Sequence, residues 1–305
     1  MNIGFVGLGL MGRGMVASLL AAGHDVRVND VDRAAGEALE ARGALWAAHP
    51  AAAAGGAELV FTCLPGPAEV EQVALGENGL LGGMVTGAWF DFTTSSPQLA
   101  RRLHAAFEAK GISVLDAPVS GGPAGAQSGK LTFWVGGDRA VYNRYLHVLH
   151  TMGDEPMHVG DIGCGATTKL AHNCANFTVQ AVLAEAFTLG VKAGVDPLML
   201  FTALRQGTLG RSRTFDRLAE QFLPCSYDPP AFALNHAHKD MLLAAALAEA
   251  NGVALPIARI AAADMAEAIA RGWGGRDARV ALTLQEERAG VSVRIDPGKL
   301  QNILR

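Results

Sequence analysis

Apolar positions along this chain follow two different rhythms. In the first half, short β-rich runs at residues 3–6 (IGFV), 26–30 (VRVND), 58–65 (ELVFTCLP), 87–94 (GAWFDFTT), 112–119 (ISVLDAPV) and 131–137 (LTFWVGG) alternate with other segments. Those between include stretches of helical length at 10–22, 32–42, 97–110 and 138–151, with a last short strand near 157–159. Strands that alternate with helices predict a mainly parallel sheet covered on both faces. The second half changes character. From Thr167 to Lys192 the chain is mostly Ala, Leu and Val, without proline and with only Gly190 late in the run, which predicts one helix of about 25 residues. Shorter helices follow residues 193–197, broken near Gly210, Asp228-Pro229-Pro230, Gly252 and Gly272, and no strand is legible there. The expected organisation is an α/β domain at 1–162, an interdomain helix at 163–194 and an all-α domain at 195–305.

Composition supports this division. A length of 305 residues suits about two domains, and with half the residues hydrophobic the chain can bury a sizeable core. A net charge of −4 and a pI near 6.1 argue against sequence-independent nucleic-acid binding, which needs a basic face. No run of eighteen apolar residues predicts a membrane span, and MNIGFVG reads as the first strand of a cytoplasmic protein rather than a signal peptide. Cys63, Cys164, Cys174 and Cys225 form no metal-like spacing and are expected as free, buried or partly buried thiols. His236 and His238 are a close pair without acidic or Cys ligands beside them, so no metal is expected.

The first chemical signal is Gly7-Leu8-Gly9-Leu10-Met11-Gly12, directly after a strand and opening a helix. The glycines permit a tight turn, close approach of a pyrophosphate and close helix–strand packing, while the helix N-terminus offers N–H groups to phosphate. The next strand ends at Asn29-Asp30, with Asp30 eighteen residues after Gly12, close to the spacing of a ribose-binding carboxylate. Asp30 favours NAD, because it repels a 2′-phosphate. Arg33 lies within three residues and could answer that phosphate, so NADP stays open.

Three further motifs follow in order, DAPVSGGPAGAQSGKLTFWVGG (116–137), GCGATTKLAHN (163–173) and HKDMLLA (238–244). With the glycine turn they resemble the β-hydroxyacid dehydrogenase family, typified by 3-hydroxyisobutyrate dehydrogenase. The resemblance spans nearly the whole chain, and it implies a Rossmann dinucleotide-binding domain at 1–162 and an all-α domain for substrate and oligomerisation at 195–305. It implies that Ser120, Gly121 and Gly122 hold a substrate carboxylate, which suits a hydroxyl beside two unobstructed backbone N–H groups. Gly125, Gly136 and Gly137 read as turn glycines. The resemblance also implies nicotinamide contacts from Leu64, Pro65 and Thr94, although Thr93 stands where the commoner pattern has a serine. Lys239 is expected to reach towards substrate or cofactor with Asp240 supporting it, and Phe232 to wall the pocket.

The chain holds six lysines against nineteen arginines, yet it places Lys169 in a run without other charges. Lys169 and Asn173, four residues apart, share one helix face. A lysine there can exchange the hydroxyl proton of a substrate, a role open to a group that loses its proton when desolvated and closed to arginine. Asn173 would orient the substrate or the ammonium. The expected activity is hydride transfer between a nicotinamide cofactor and a small 3-hydroxy acid. A dianionic acid such as 2-(hydroxymethyl)glutarate is the alternative, with Arg211 as the second anion's partner. A 6-phosphogluconate dehydrogenase would need an acid seven residues after the lysine, where this chain has Asn176. A non-catalytic cofactor-binding module would have lost the lysine. The long apolar helix suggests a homodimer or homotetramer.

Overall fold

A computed structural model describes residues 1–214 and 216–304, and the chain forms two compact units, Met1–Ala175 and Asn176–Arg305. The first unit is built on nine strands, β1 (Asn2–Val6), β2 (Asp25–Asn29), β3 (Leu45–Trp46), β4 (Leu59–Thr62), β5 (Ala88–Asp91), β6 (Ser113–Asp116), β7 (Val119–Ser120), β8 (Thr132–Gly136) and β9 (Glu155–Gly160). They form one sheet in the order β3-β2-β1-β4-β5-β6-β8-β7, with β9 also pairing β8. The pairs from β3 to β6 are all parallel, whereas β8 runs antiparallel to β6 and β7.

Strand side chains alternate between faces, and here both faces are buried. Phe5, Phe61, Phe90 and Leu115 enter one apolar layer, while their neighbours Val6, Val60, Trp89 and Val114 enter the other. The first layer is covered by α1 (Gly12–Ala21), α2 (Ala34–Glu40), α7 (Gly122–Ser128) and α8 (Arg139–Leu149). The second is covered by α3 (Pro50–Ala54), α4 (Pro67–Leu75), α5 (Leu80–Gly83) and α6 (Pro97–Glu108). Local chemistry sets helix starts. Ser96 accepts the Leu99 N–H at 3.2 Å ahead of Pro97, and Asp138 accepts from Ala140 and Val141 at 2.6 and 3.0 Å.

The main expected strands and helices are present, most with trimmed ends, though β1 and β9 run longer than expected and the 112–119 run divides into β6 and β7. Five short elements escaped the sequence pattern: β3, α3, α4, α5 and α7. They are too short to show a period, and the alanine-rich α3 carries no polar–apolar contrast. Gly125, expected in a turn, lies inside α7. Of the cysteines, all free, Cys174 and Cys225 are exposed rather than buried. Burial, then Asp91, pushes the half-buried Cys63 thiol up to about 12.

The long helix α9 runs Cys164–Lys192, three residues earlier than expected, and the boundary between the units falls within it. The second unit continues as α10 (Pro197–Gln206), α11 (Thr208–Arg211), α12 (Asp216–Gln221), α13 (Leu234–Ala250), α14 (Pro256–Ala270), a 3-10 turn (Ala278–Leu282), α15 (Thr283–Ala289) and α16 (Pro297–Leu304). As expected it holds no extended strand among the described residues, only an isolated bridge between Ala233 and Asp277. Its core gathers Tyr227, Leu234, Ala268, Val280 and Leu284.

Candidate active site

β1 runs directly into the glycine turn, whose three glycines do different work. Gly7 has φ 99°, and a Cβ there would collide with the Cys63 carbonyl; a Cβ on Gly12 would collide with the Gly7 carbonyl. Gly9 meets nothing within 4 Å and is exposed. Two glycines thus close the turn on itself, and the third leaves bare backbone at the open side, as a pyrophosphate cradle requires. Leu10 is exposed and Met11 half-buried on that turn, whereas Leu8 is fully buried in the core. Leu8 contributes its N–H, donated to Asp30 Oδ2 at 2.5 Å.

Asp30 also accepts the Asp32 N–H at 2.9 Å, so its carboxylate is fixed at the end of β2, half-buried. The expectation for its neighbour needs correction. Asn29 is 6% exposed, and its side-chain amide donates to the Ala47 carbonyl at 2.9 Å. Its own carbonyl accepts the Gly7 N–H at 2.9 Å. Asn29 braces the turn from inside the domain and presents no side chain to a cofactor. Arg33 is engaged too, 2.6 Å from Glu40 and 4.5 Å over the Trp46 ring. These residues fit a nicotinamide dinucleotide, with an open glycine backbone for phosphate and a held carboxylate for ribose.

The two loops expected at the nicotinamide end are joined by Thr93, the residue that stands where the commoner pattern has a serine. The Thr93 hydroxyl, buried, accepts the Leu64 N–H at 3.0 Å and so ties the loop after β4 to the loop after β5. Thr93 is itself held, its N–H donating to Asp91 Oδ1 at 3.1 Å. Asp91 accepts the Thr62 hydroxyl at 2.7 Å, and Thr62 accepts the Trp89 indole N–H at 2.9 Å. Pro65 and Thr94 are exposed above this network, with Leu64 partly so.

Lys169 projects from the second turn of α9, half-buried, and its Nζ donates to the Val119 carbonyl at 2.8 Å. Val119 immediately precedes Ser120, Gly121 and Gly122, so the lysine and the anion-nest residues are neighbours. Gly121 and Gly122 are exposed with φ of 124° and 61°, a backbone path that side chains resist, and Ser120 is half-buried. Desolvation holds the Lys169 ammonium below its usual range, and the Trp134 ring lies 5.9 Å from Nζ. The same indole packs 5.0 Å from the His172 ring, and His172 Nδ1 stands 3.2 Å from the amide oxygen of Asn173. Asn173 is half-buried one turn beyond Lys169.

Asp116, at the start of the DAPVSGG segment, escaped the sequence reading. Buried, it accepts the Gly163 N–H at 2.7 Å on Oδ1 and the Ala166 N–H at 2.6 Å on Oδ2. Burial pushes its carboxyl up, against those two hydrogen bonds that pull it down. An acid inside an otherwise apolar strand was the available signal. A Cβ on Gly165 would collide with the carbonyls of Asp116 and Trp134, and one on Gly136 would press on the Asp116 carboxylate. Those two glycines serve close packing rather than turning.

The remaining candidates lie in the second unit. Lys239 and Asp240 pair at 3.0 Å on α13, both well exposed. Phe232 is 47% exposed, and its N–H donates to the fully buried Asp277 at 3.2 Å. Arg211 ends α11 exposed and forms no ion pair among the described residues. No group of three metal-ligating side chains occurs among the described residues.

Residues 2–163 match the family model described as the NAD binding domain of 6-phosphogluconate dehydrogenase, and residues 163–284 match that of NAD-binding of NADP-dependent 3-hydroxyisobutyrate dehydrogenase. A 2-(hydroxymethyl)glutarate dehydrogenase of Eubacterium barkeri is 34% identical over 96% of this chain and 97% of its own. A 3-hydroxyisobutyrate dehydrogenase of Pseudomonas aeruginosa is 42% identical over 68% of this chain and 70% of its own. Among solved structures, Mycobacterium tuberculosis 3-hydroxyisobutyrate dehydrogenase with L-serine superposes with a TM-score of 0.64 at 32% identity, covering 92% of this chain and 98% of that one. With the glycine turn, the Ser120-Gly121-Gly122 segment and the half-buried lysine of its first unit on one side and these relatives on the other, the chain belongs to the β-hydroxyacid dehydrogenase family.

Proposed function

We propose that this protein is an NAD(P)-dependent dehydrogenase acting on a small 3-hydroxy acid, with Lys169 as general acid–base. The observation that carries the reading is the Lys169 amine, partly desolvated and held 2.8 Å from the Val119 carbonyl beside the Ser120-Gly121-Gly122 nest. A carboxylate in that nest would accept the Ser120 hydroxyl and the exposed backbone N–H groups of Gly121 and Gly122. The adjacent hydroxyl of a 3-hydroxy acid would then fall near the amine. In oxidation the neutral amine takes the hydroxyl proton; in reduction the ammonium returns it to the carbonyl oxygen. Desolvation favours the neutral form, bringing the amine closer to working pH. When bound, the nicotinamide accepts or gives the hydride. Asn173, one turn on, orients the substrate with its free amide N–H group, its oxygen facing His172.

NAD is the preferred cofactor. Asp30, its carboxylate held at the end of β2, would repel a 2′-phosphate, and Arg33, the nearby cation, is drawn to Glu40 and Trp46. A second reading on the same chemistry is a dianionic substrate. It is favoured by the similarity to the 2-(hydroxymethyl)glutarate enzyme and by Arg211, exposed and without an ion pair among the described residues.

α9 is long and apolar enough to cross a membrane by length and composition alone, and Phe177 is 63% and Leu183 45% exposed on it. We assign that surface to a second copy of the chain, in a homodimer or homotetramer, and place the protein in the cytoplasm, where its free cysteines fit. Light scattering at micromolar concentration giving a monomer would end the oligomer assignment.

The function is tested by a coupled absorbance screen with NAD and NADP over 3-hydroxyisobutyrate, serine, glycerate, threonate, 4-hydroxybutyrate and 2-(hydroxymethyl)glutarate. Lys169→Ala should lose about 10²–10⁴-fold in turnover while still binding NAD. Full turnover in that variant would remove the acid–base role. Unchanged kinetics of Arg211→Ala on every acid would remove the dianion reading.

A further inference from the structure

We infer that Asp116 is a positioning residue for Lys169, acting as a capping group supplied to α9 from a distant strand. The inference rests on the acid–base role proposed for the lysine. A helix leaves its first N–H groups without internal partners, and an ordinary capping box answers them with side chains from the N-cap and the third helical residue. In α9 those positions are Gly163 and Ala166, neither of which has a polar side chain. Asp116 fills both roles at once, Oδ1 taking the Gly163 N–H at 2.7 Å and Oδ2 the Ala166 N–H at 2.6 Å, across 47 and 50 residues of sequence. Of the two positions between them, Gly165 is one where any side chain would strike the Asp116 and Trp134 carbonyls, so the helix end is seated directly on β6 and β8.

Lys169 is four residues after Gly165 and therefore on the face seated against the strands. Its Nζ reaches the Val119 carbonyl, three residues after Asp116. The segment from Asp116 to Val119 thus holds the lysine twice, by the start of its helix and by its amine. Asp116 is not among the charges that shift Lys169, whose lowering comes from desolvation. Its influence is geometric. Asparagine in its place would turn an NH2 group towards one of the two backbone donors, losing that bond and tilting the first turn. A misplacement on the order of 1 Å in a reacting group can cost about 100-fold in rate.

The test is a double-mutant cycle on the full-length enzyme with its best substrate from the screen. Asp116→Asn should lower kcat by about 10–100-fold, with NAD affinity by fluorescence titration within about threefold of the parent. In a Lys169→Ala background the same change should cost no further rate, because the group it positions is gone. Wild-type kcat in Asp116→Asn, or losses that multiply in the double variant, would overturn the inference. Full activity in Lys169→Ala would instead overturn the acid–base reading itself. If Asp116→Asn does not retain NAD binding, amide hydrogen exchange on the unmutated protein decides. The Gly163 and Ala166 N–H groups should exchange slowly for first-turn amides, and rapid exchange at both would refute the cap.

Discussion

Asp91 offers a test of the buried network in which the charge itself can be removed with little change of shape. Its carboxyl is 8% exposed, and burial pushes it up from 3.8 to about 6 against the hydrogen bonds of Thr93 and Thr62, with Asp116 adding a smaller push. A carboxyl raised on folding binds more proton in the folded chain than in the unfolded one between those two values. Stability therefore falls as pH rises through that window and stays reduced above it. At about 1.4 kcal/mol per pH unit, the cost of ionised Asp91 near neutral pH is about 3 kcal/mol. In Asp91→Asn the amide oxygen can still accept the Thr62 hydroxyl and the Thr93 N–H, but no charge is buried. The variant should gain on its parent by up to about 3 kcal/mol between about pH 4 and pH 7.5. For a unit of this size that is about 6–12 °C in Tm. The assay is calorimetry of cofactor-free protein at the two pH values. A Tm difference that does not change with pH, or that favours the parent more at the higher pH, would refute the account.

Three other outcomes separate the parts of the site. Gly9→Ala should leave Tm unchanged and weaken NAD binding, because its Cβ meets only open space, whereas Gly12→Ala should destabilise the fold through collision with the Gly7 carbonyl; thermal melts beside NAD titration distinguish them. Glu40→Ala frees Arg33 from an ion pair between an exposed and a partly exposed side chain, worth at most about 1 kcal/mol, so the NADP to NAD ratio of kcat/KM should rise no more than about fivefold. Asp30→Ser, which removes the repulsion of a 2′-phosphate, should raise that ratio further, and the reverse ranking would count against Asp30 as the discriminator. Oxidation should accelerate as pH rises through the titration of Lys169, at a midpoint below the usual 10.5, with reduction slowing over the same range. A pH–rate profile identical in Lys169→Arg would disprove this, since arginine does not release its proton.

The sheet was legible because its strands are buried on both faces and each carries enough apolar residues to stand out. Phe5 and Val6, or Trp89 and Phe90, go to opposite layers, so neither neighbour could be polar. The site was legible where a residue type is chemically odd for its surroundings. Lys169 among small uncharged residues is such a case, and so is the open Gly9. Less legible was anything decided by a partner far along the chain. Asn29 looks like a polar residue beside a ribose carboxylate, but its amide is taken by Ala47, eighteen residues on. Thr93 looks like a conservative replacement, and only the fold brings it to the Leu64 N–H. Gly136 reads as a turn glycine, and Gly165 carries no signal in the sequence, while their necessity comes from the Asp116 backbone and carboxylate lying against them.

Asp91 and Asp116 stand opposite each other in register at the ends of β5 and β6, two carboxylates buried side by side. Burial raises both, so neither is there for the stability of its own charge. An apolar pair could pack in the same space, but it would strand the backbone N–H groups of Thr93, Gly163 and Ala166. A buried donor left without an acceptor costs about 1–3 kcal/mol, so the three together, at about 3–9 kcal/mol, offset the cost of burying the acids. Asp91 holds the loop that fastens the Leu64 backbone, and Asp116 holds the first turn of the helix that carries Lys169. On the function proposed above, the sheet's two buried acids hold the segments that must be still for chemistry, one on the cofactor side and one on the proton-transfer side.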